Sequence, residues 1–231
     1  MSTITAVTAF APASVGNVGV GFDVLGHALD GVGDTVRVQI ADRSGVRLGA
    51  VTGTVDTLPS DPASNTALKP LLTLCRDYSI DDGVIVSVDK GIPMGSGMGG
   101  SAASAVAAVV AANALWQLDL SQERQLAYAA LGETVASGAG HLDNLAPSLF
   151  GGLVLCEEGD PAHITRLPVP AGLRCVLVHP ALRIHTRDAR AMLDAAVPLA
   201  RHVAHAQHLA GFVAGCLRGD VEQIGRCLRD V

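Results

Sequence analysis

Lysine and aromatic side chains are scarce in this chain: only Lys69 and Lys90 among 231 residues, and 3% aromatics, with a formal net charge of −6. A broad basic surface for nucleic acid or acidic lipid is therefore not expected, and an anionic ligand would have to be held locally. The five cysteines, Cys75, Cys156, Cys175, Cys216 and Cys227, are odd in number and scattered, with no C-x-x-C pair. That pattern argues against a disulfide framework and a zinc site, and suits a reducing, cytoplasmic compartment. No apolar run reaches the ~20 residues that cross a bilayer. The longest, residues 102–116, is mostly small alanines interrupted by Ser104 and Asn113, and predicts a buried helix. No basic residue precedes an apolar run at the N-terminus, so no secretory or transit leader is expected.

What the chain has is glycine, and the glycine is concentrated. Pro93, Met94, Gly95, Ser96, Gly97, Met98, Gly99, Gly100, Ser101 and, three residues on, Ser104 join an alternating apolar run at 84–89 to the alanine-rich helix. Glycines let backbone approach an anion and present N–H groups to it, and the helix start adds the positive end of its dipole. A nucleotide phosphate is the ligand this suggests. Gly95, Gly97 and Gly100 satisfy G-x-G-x-x-G, yet the helix is followed by Asp119, Ser121 and a second helix rather than a parallel strand, which disfavours a dinucleotide fold. A Walker A loop is disfavoured as well, because no lysine follows the last glycine. The bland alternative is a tight strand-to-helix turn without a ligand.

Along the chain, strands are predicted at 3–11, 35–40, 46–55, 84–89, 149–155 and 173–179, with helices at 66–78, 102–116, 122–135, 186–193, 198–217 and 221–230. Ser121 is placed as an N-cap. Residues 11–26 and 138–147 are predicted as loops, the first carrying Ser14, Asn17 and Asp23 among small residues. With 231 residues, one large or two modest domains are allowed.

The 11–26 segment and the glycine turn together resemble the signatures of the GHMP kinase superfamily. Residues 138–152, the His185-Thr186-Arg187-Asp188-Ala189-Arg190 stretch and residues 205–212 are similar to its homoserine kinase branch. The resemblance implies an α+β architecture: a ribosomal protein S5 domain 2-like, ATP-binding domain at 1–156, and a ferredoxin-like second domain at 157–231, which the family's missing third signature would leave incomplete. It implies ATP-dependent phosphorylation of L-homoserine, a step towards threonine, with Mg²⁺. The expected partner is the small-molecule substrate, with a homodimer allowed and neither nucleic acid nor membrane. A mevalonate-type kinase and a non-catalytic nucleotide-binding fragment are the alternatives.

By the same resemblance, residues 93–101 and Ser104 wrap the ATP phosphates, and Ser101 with Glu133 holds the metal. A hard cation that bridges phosphates needs few protein oxygens. Asn65 and Lys90 match positions on the adenine side, although an exposed strand-end charge is the alternative for Lys90. Asn17, Asp23, His141, Asn144, Thr186 and Arg190 match substrate positions, Asp23 suiting an ammonium and Arg190 a carboxylate. Asn144 and Asp23 are the catalytic candidates. Asn144 stands where many relatives carry an aspartate base, and the neighbouring Asp143 is either a base or a loop anchor. Gly100 replaces the first serine of the family's Ser-Ser pair, which implies weaker nucleotide affinity. The helix-face trio His202, His205 and His208 is taken as packing or surface.

Overall fold

The computed structural model describes residues 4–137, 141–157, 160–178, 192–193 and 196–229. It is a mixed α+β protein built on one six-stranded sheet. Strand β1 (Ala6–Val18) turns tightly into the 21-residue β2 (Gly21–Ala41), followed by β3 (Val46–Gly53), α1 (Leu68–Asp77) and β4 (Gly83–Lys90). Helices α2 (Gly100–Trp116), α3 (Gln122–Ser137) and α4 (Leu142–Phe150) come next. The short β5 (Leu153–Cys156) and β6 (Ile164–Leu167) precede α5 (Leu199–Arg218) and α6 (Val221–Cys227).

The sheet order is β3-β4-β2-β5-β6, with β1 paired to β2. Only β3 and β4 run parallel, and α1 supplies the crossover that parallel neighbours require. Period-two burial on β4 sends Val84, Val86, Val88 and Lys90 to one face, opposite Val36 and Val38 of β2. Helix α2 covers that face. Its alanines from Ala102 to Ala112 are all buried, and side chains this small let the helix pack between β1, β2 and α3. The N-cap of α3 is Ser121, whose Oγ accepts the N–H of Arg124.

Two predicted loops are ordered elements. Residues 11–18 continue β1, and 21–26 begin β2, with register shifts between Pro12 and Ser14 and between Gly16 and Val18. Such bulges bend a strand without ending it, so glycine and proline there mark kinks rather than loop. Residues 142–150 form α4 with Pro147 inside it. Leu142, Leu145, Ala146 and Leu149 have helical spacing and pack against the core, which outweighs the one backbone bond proline removes. Conversely, residues 173–178 form no strand, and Val176 is 85% exposed. The predicted helix at 186–193 lies almost wholly outside the described residues.

A second, smaller apolar cluster joins Val20, Leu25, Leu153 and Leu167 of the sheet to Phe212 and Cys216 of α5 and Ile224 of α6. The boundary expected after Cys156 falls in the turn of the β5–β6 hairpin. Among the described residues, no helix is long and apolar enough to cross a membrane.

Candidate active site

The kinked β1, the 93–99 turn and α4 meet around a cleft of about 530 Å³. Its walls include Asn17, Asp23, Asn65, Lys90, Pro93, Met94, Gly95, Ser96, Gly97, Gly99, Gly100, Ser101, Ser104, Glu133, His141 and Asn144, residues up to 127 positions apart in sequence. Two expected substrate residues, Thr186 and Arg190, lie outside the described residues.

The turn is shaped by glycines at positive φ, the last being Gly99 at +65°, the N-cap of α2. Gly99 has no side chain to cap the helix, which leaves the first-turn N–H groups without a partner from that position. A Cβ here would sit 2.2 Å from Ser14 Oγ and 3.0 Å from Asn144 Oδ1, so the turn is pressed against both. Met98 is the exception among the turn residues. It is 7% exposed and packs within the main core. Its carbonyl accepts the N–H of Ser14 at 3.1 Å.

At the start of α2, Ser101 Oγ donates to Glu133 Oε2 of α3 at 2.8 Å. A hydroxyl and a carboxylate in contact beside a glycine turn make an oxygen-only donor pair, which fits Mg²⁺ completing its shell with phosphate and water. Among the described residues there is no cluster of three acidic, histidine or cysteine side chains for a metal held by protein alone.

Lys90 is not an exposed strand-end charge. Its ammonium is ion-paired with Asp34 and donates to Gly100 O (2.8 Å) and Ser104 Oγ (3.0 Å), while Ser104 Oγ donates to Asp34 Oδ2 (2.6 Å) and Ile92 N–H to Asp34 Oδ1 (3.2 Å). All three ammonium protons are used, so a direct hydrogen bond to a nucleotide would require one of these bonds to break. Asn65 is similarly committed: Nδ2 donates to Pro59 O and Oδ1 accepts the N–H groups of Ala67 and Leu68 at the entry to α1.

On the opposite wall, Asn17 adopts φ +56° and its Oδ1 accepts the N–H of Asp23 at 2.9 Å. His141 Nδ1 lies 3.7 Å from Asp23 Oδ1. Asp143 is 2% exposed and its Oδ2 accepts the N–H of Asn17 at 3.2 Å. Burial, then the charge of Asp23, pushes its carboxyl above the usual range, partly offset by His141 and the Asn17 amide. Of the two readings of Asp143, this contact supports the anchor. Gly16 and Gly26 allow the approach, since a Cβ on either would fall within 2.1 Å of Asp143 atoms.

Asp34 is a neighbour of the site that sequence reasoning missed, and Ser14, named in the 11–26 segment, was given no role there. Asp34 carried a signal: it is in phase with the buried Val36 and Val38, as Lys90 is with Val88. The contact of Ser14 had none, because its partner Asn144 is 130 positions away.

Comparison with known proteins gives one consistent answer. Residues 65–152 match the family model "GHMP kinases N terminal domain". A homoserine kinase of Xylella fastidiosa is 48% identical over 223 residues, covering 96% of this chain and 68% of that protein. One from Chloroherpeton thalassium is 40% identical over 235 residues, with coverages of 97% and 74%. The crystal structure of homoserine kinase from Cytophaga hutchinsonii superposes with a TM-score of 0.92 at 39% identity, covering all of this chain and 73% of that one.

Proposed function

This chain belongs to the homoserine kinase family of the GHMP kinases, and from that premise we propose that it transfers the γ-phosphoryl group of ATP to the side-chain hydroxyl of L-homoserine, giving O-phosphohomoserine and ADP on the way to threonine. The observation that carries this reading is the packing of the Gly99 turn against Ser14 and Asn144, which brings a phosphate-binding backbone and a substrate-side amide to one cleft. A cytoplasmic setting agrees with five scattered cysteines without a disulfide pattern.

In this reading the turn from Pro93 to Gly100 holds the triphosphate through main-chain N–H groups, supported by the α2 dipole. Ser101 and Glu133 would hold Mg²⁺, which when bound neutralises charge on the phosphate oxygens. Asp23 receives the substrate ammonium, and Arg190 its carboxylate, with Asn17, His141 and Thr186 alongside. Asn144 donates to the acceptor hydroxyl and orients one of its lone pairs. As the hydroxyl oxygen bonds to the γ-phosphorus, the bond to the bridging oxygen breaks, and the hydroxyl proton passes to a phosphate oxygen or water. Asp143 accepts the Asn17 N–H and anchors that wall, and alignment and charge stabilisation carry the rate.

The test is an ADP-release assay with ATP and Mg²⁺, offering homoserine, mevalonate and galactose separately. Release dependent on homoserine alone is expected; preference for mevalonate, or nucleotide binding without release, overturns the assignment.

A further inference from the structure

Ser14 is completely buried, with 0% exposure, yet both of its polar groups point to parts of the site that are distant in sequence. Its N–H donates to Met98 O in the turn, and its Oγ donates to Asn144 Oδ1 at 3.1 Å. The Asn144 amide lies between two glycines: its Oδ1 is 3.0 Å from where a Cβ on Gly99 would be, and its Nδ2 is 2.8 Å from where one on Gly16 would be. Neither glycine can contribute a side chain to hold that amide. Ser14 Oγ is the hydroxyl that does, and by engaging Oδ1 it leaves Nδ2 as the amide's donor.

Resting on the kinase reading above, we infer that Ser14 is a positioning residue for phosphoryl transfer: it fixes the orientation of the Asn144 amide and ties that amide to the phosphate-holding turn. One residue thereby sets the register between the donor phosphate and the acceptor hydroxyl, which come from opposite walls of the cleft. A loose phosphoryl-transfer transition state depends chiefly on such alignment. Loss of the Ser14 hydroxyl frees the Asn144 amide to rotate, so the effect falls on turnover. The backbone bond to Met98 survives any side-chain change, so nucleotide affinity is spared.

Two measurements test this. In ¹⁵N–¹H spectra, the Asn144 side-chain amide signals are assigned by their disappearance in Asn144→Asp; they are expected to move in Ser14→Ala towards those of a solvent-exposed asparagine. In the ADP-release assay, Ser14→Ala is expected to lower kcat about tenfold, the size of one lost hydrogen bond, with KM for ATP unchanged. Ser14→Cys, which keeps the volume and a weak donor, is expected to recover part of the loss. Ser14→Ala combined with Asn144→Ala is expected to be no slower than Asn144→Ala alone. Unmoved amide signals in Ser14→Ala, or single effects that multiply in the double variant, overturn the inference. Absence of homoserine-dependent ADP release from the parent chain would instead overturn the kinase reading, while the amide signals would still decide the role of Ser14.

Discussion

Lys90 and Asp34 stand directly opposite each other on β4 and β2 and form an ion pair in which the two side chains are 3% and 0% exposed. Removing two charges from water is costly, and the pair is sustained because both carboxylate oxygens and all three ammonium protons are engaged: Ile92 and Ser104 also donate to the carboxylate, and Gly100 O and Ser104 Oγ also accept from the ammonium. The pair lies beneath the first turn of α2 and joins the end of β4 to the helix that follows the glycine turn.

Breaking this pair from one side leaves a buried charge without its partner. Lys90→Met is therefore expected to destabilise the fold by about 3–5 kcal/mol, read as a lower urea midpoint. Lys90→Met with Asp34→Leu is expected to cost less than the sum of the two single changes. Strict additivity would show that the two side chains do not act as a unit.

Gly99→Ala combines a left-handed φ with a Cβ 2.2 Å from Ser14 Oγ. The backbone strain alone is about 1–2 kcal/mol, and relief requires the turn to move away from Asn144. Loss of nucleotide binding and of turnover together is expected, by calorimetric ATP titration and the ADP assay. Wild-type affinity would mean that the turn does not hold phosphate.

Asn144→Ala removes the partner of the Ser14 hydroxyl and the donor assigned to the acceptor oxygen. A fall in kcat of about 10²-fold, the scale of lost alignment, is expected with ATP binding retained. Unchanged turnover would remove Asn144 from the chemistry.

Asp143 links pH to stability with a definite sign. Its folded-state carboxyl titrates above its unfolded-state value, so between the two the native state binds more protons than the unfolded one. Stability is thus lost as pH rises from the ordinary carboxylate range through the raised folded value, and the penalty is complete above it. Asp143→Asn keeps an oxygen for the Asn17 N–H and deletes the titration. A flatter dependence of Tm on pH from acid to neutral is expected; an unchanged slope would show that Asp143 does not titrate in this window.

Ser101→Ala removes the hydroxyl proposed for the metal, and Glu133→Gln removes the carboxylate charge beside it. The Mg²⁺ concentration for half-maximal ADP release is expected to rise on the order of tenfold, with the homoserine KM little changed. A response confined to homoserine would place these residues on the wrong substrate.

Local chemistry was legible in the chain wherever it was written in neighbouring residues. The glycine density at 95–100, the alternation at 84–89 and the serine before α3 predict the turn, the strand and the capped helix, because glycine torsions, strand period and capping act over a few residues. Residues 11–18, 21–26 and 142–147 were misread for a related reason. Glycine and proline were taken as loop signals, whereas packing against α4 turns the first two into bulged strand and helical spacing of leucines overrides Pro147 in the last.

By itself, then, the sequence determined the glycine turn between a strand and an alanine-rich helix and, through its motifs, the kinase resemblance with the α+β class which that implies. Only the tertiary structure decided that Ser14 meets Asn144, that Asp34 neutralises Lys90 and that Asp143 holds Asn17. Each of these contacts spans 56 to 130 positions. Hydrogen bonds and ion pairs depend on distance and burial in space, and those are set by how the kinked β1–β2 hairpin and α4 pack, which no local pattern encodes.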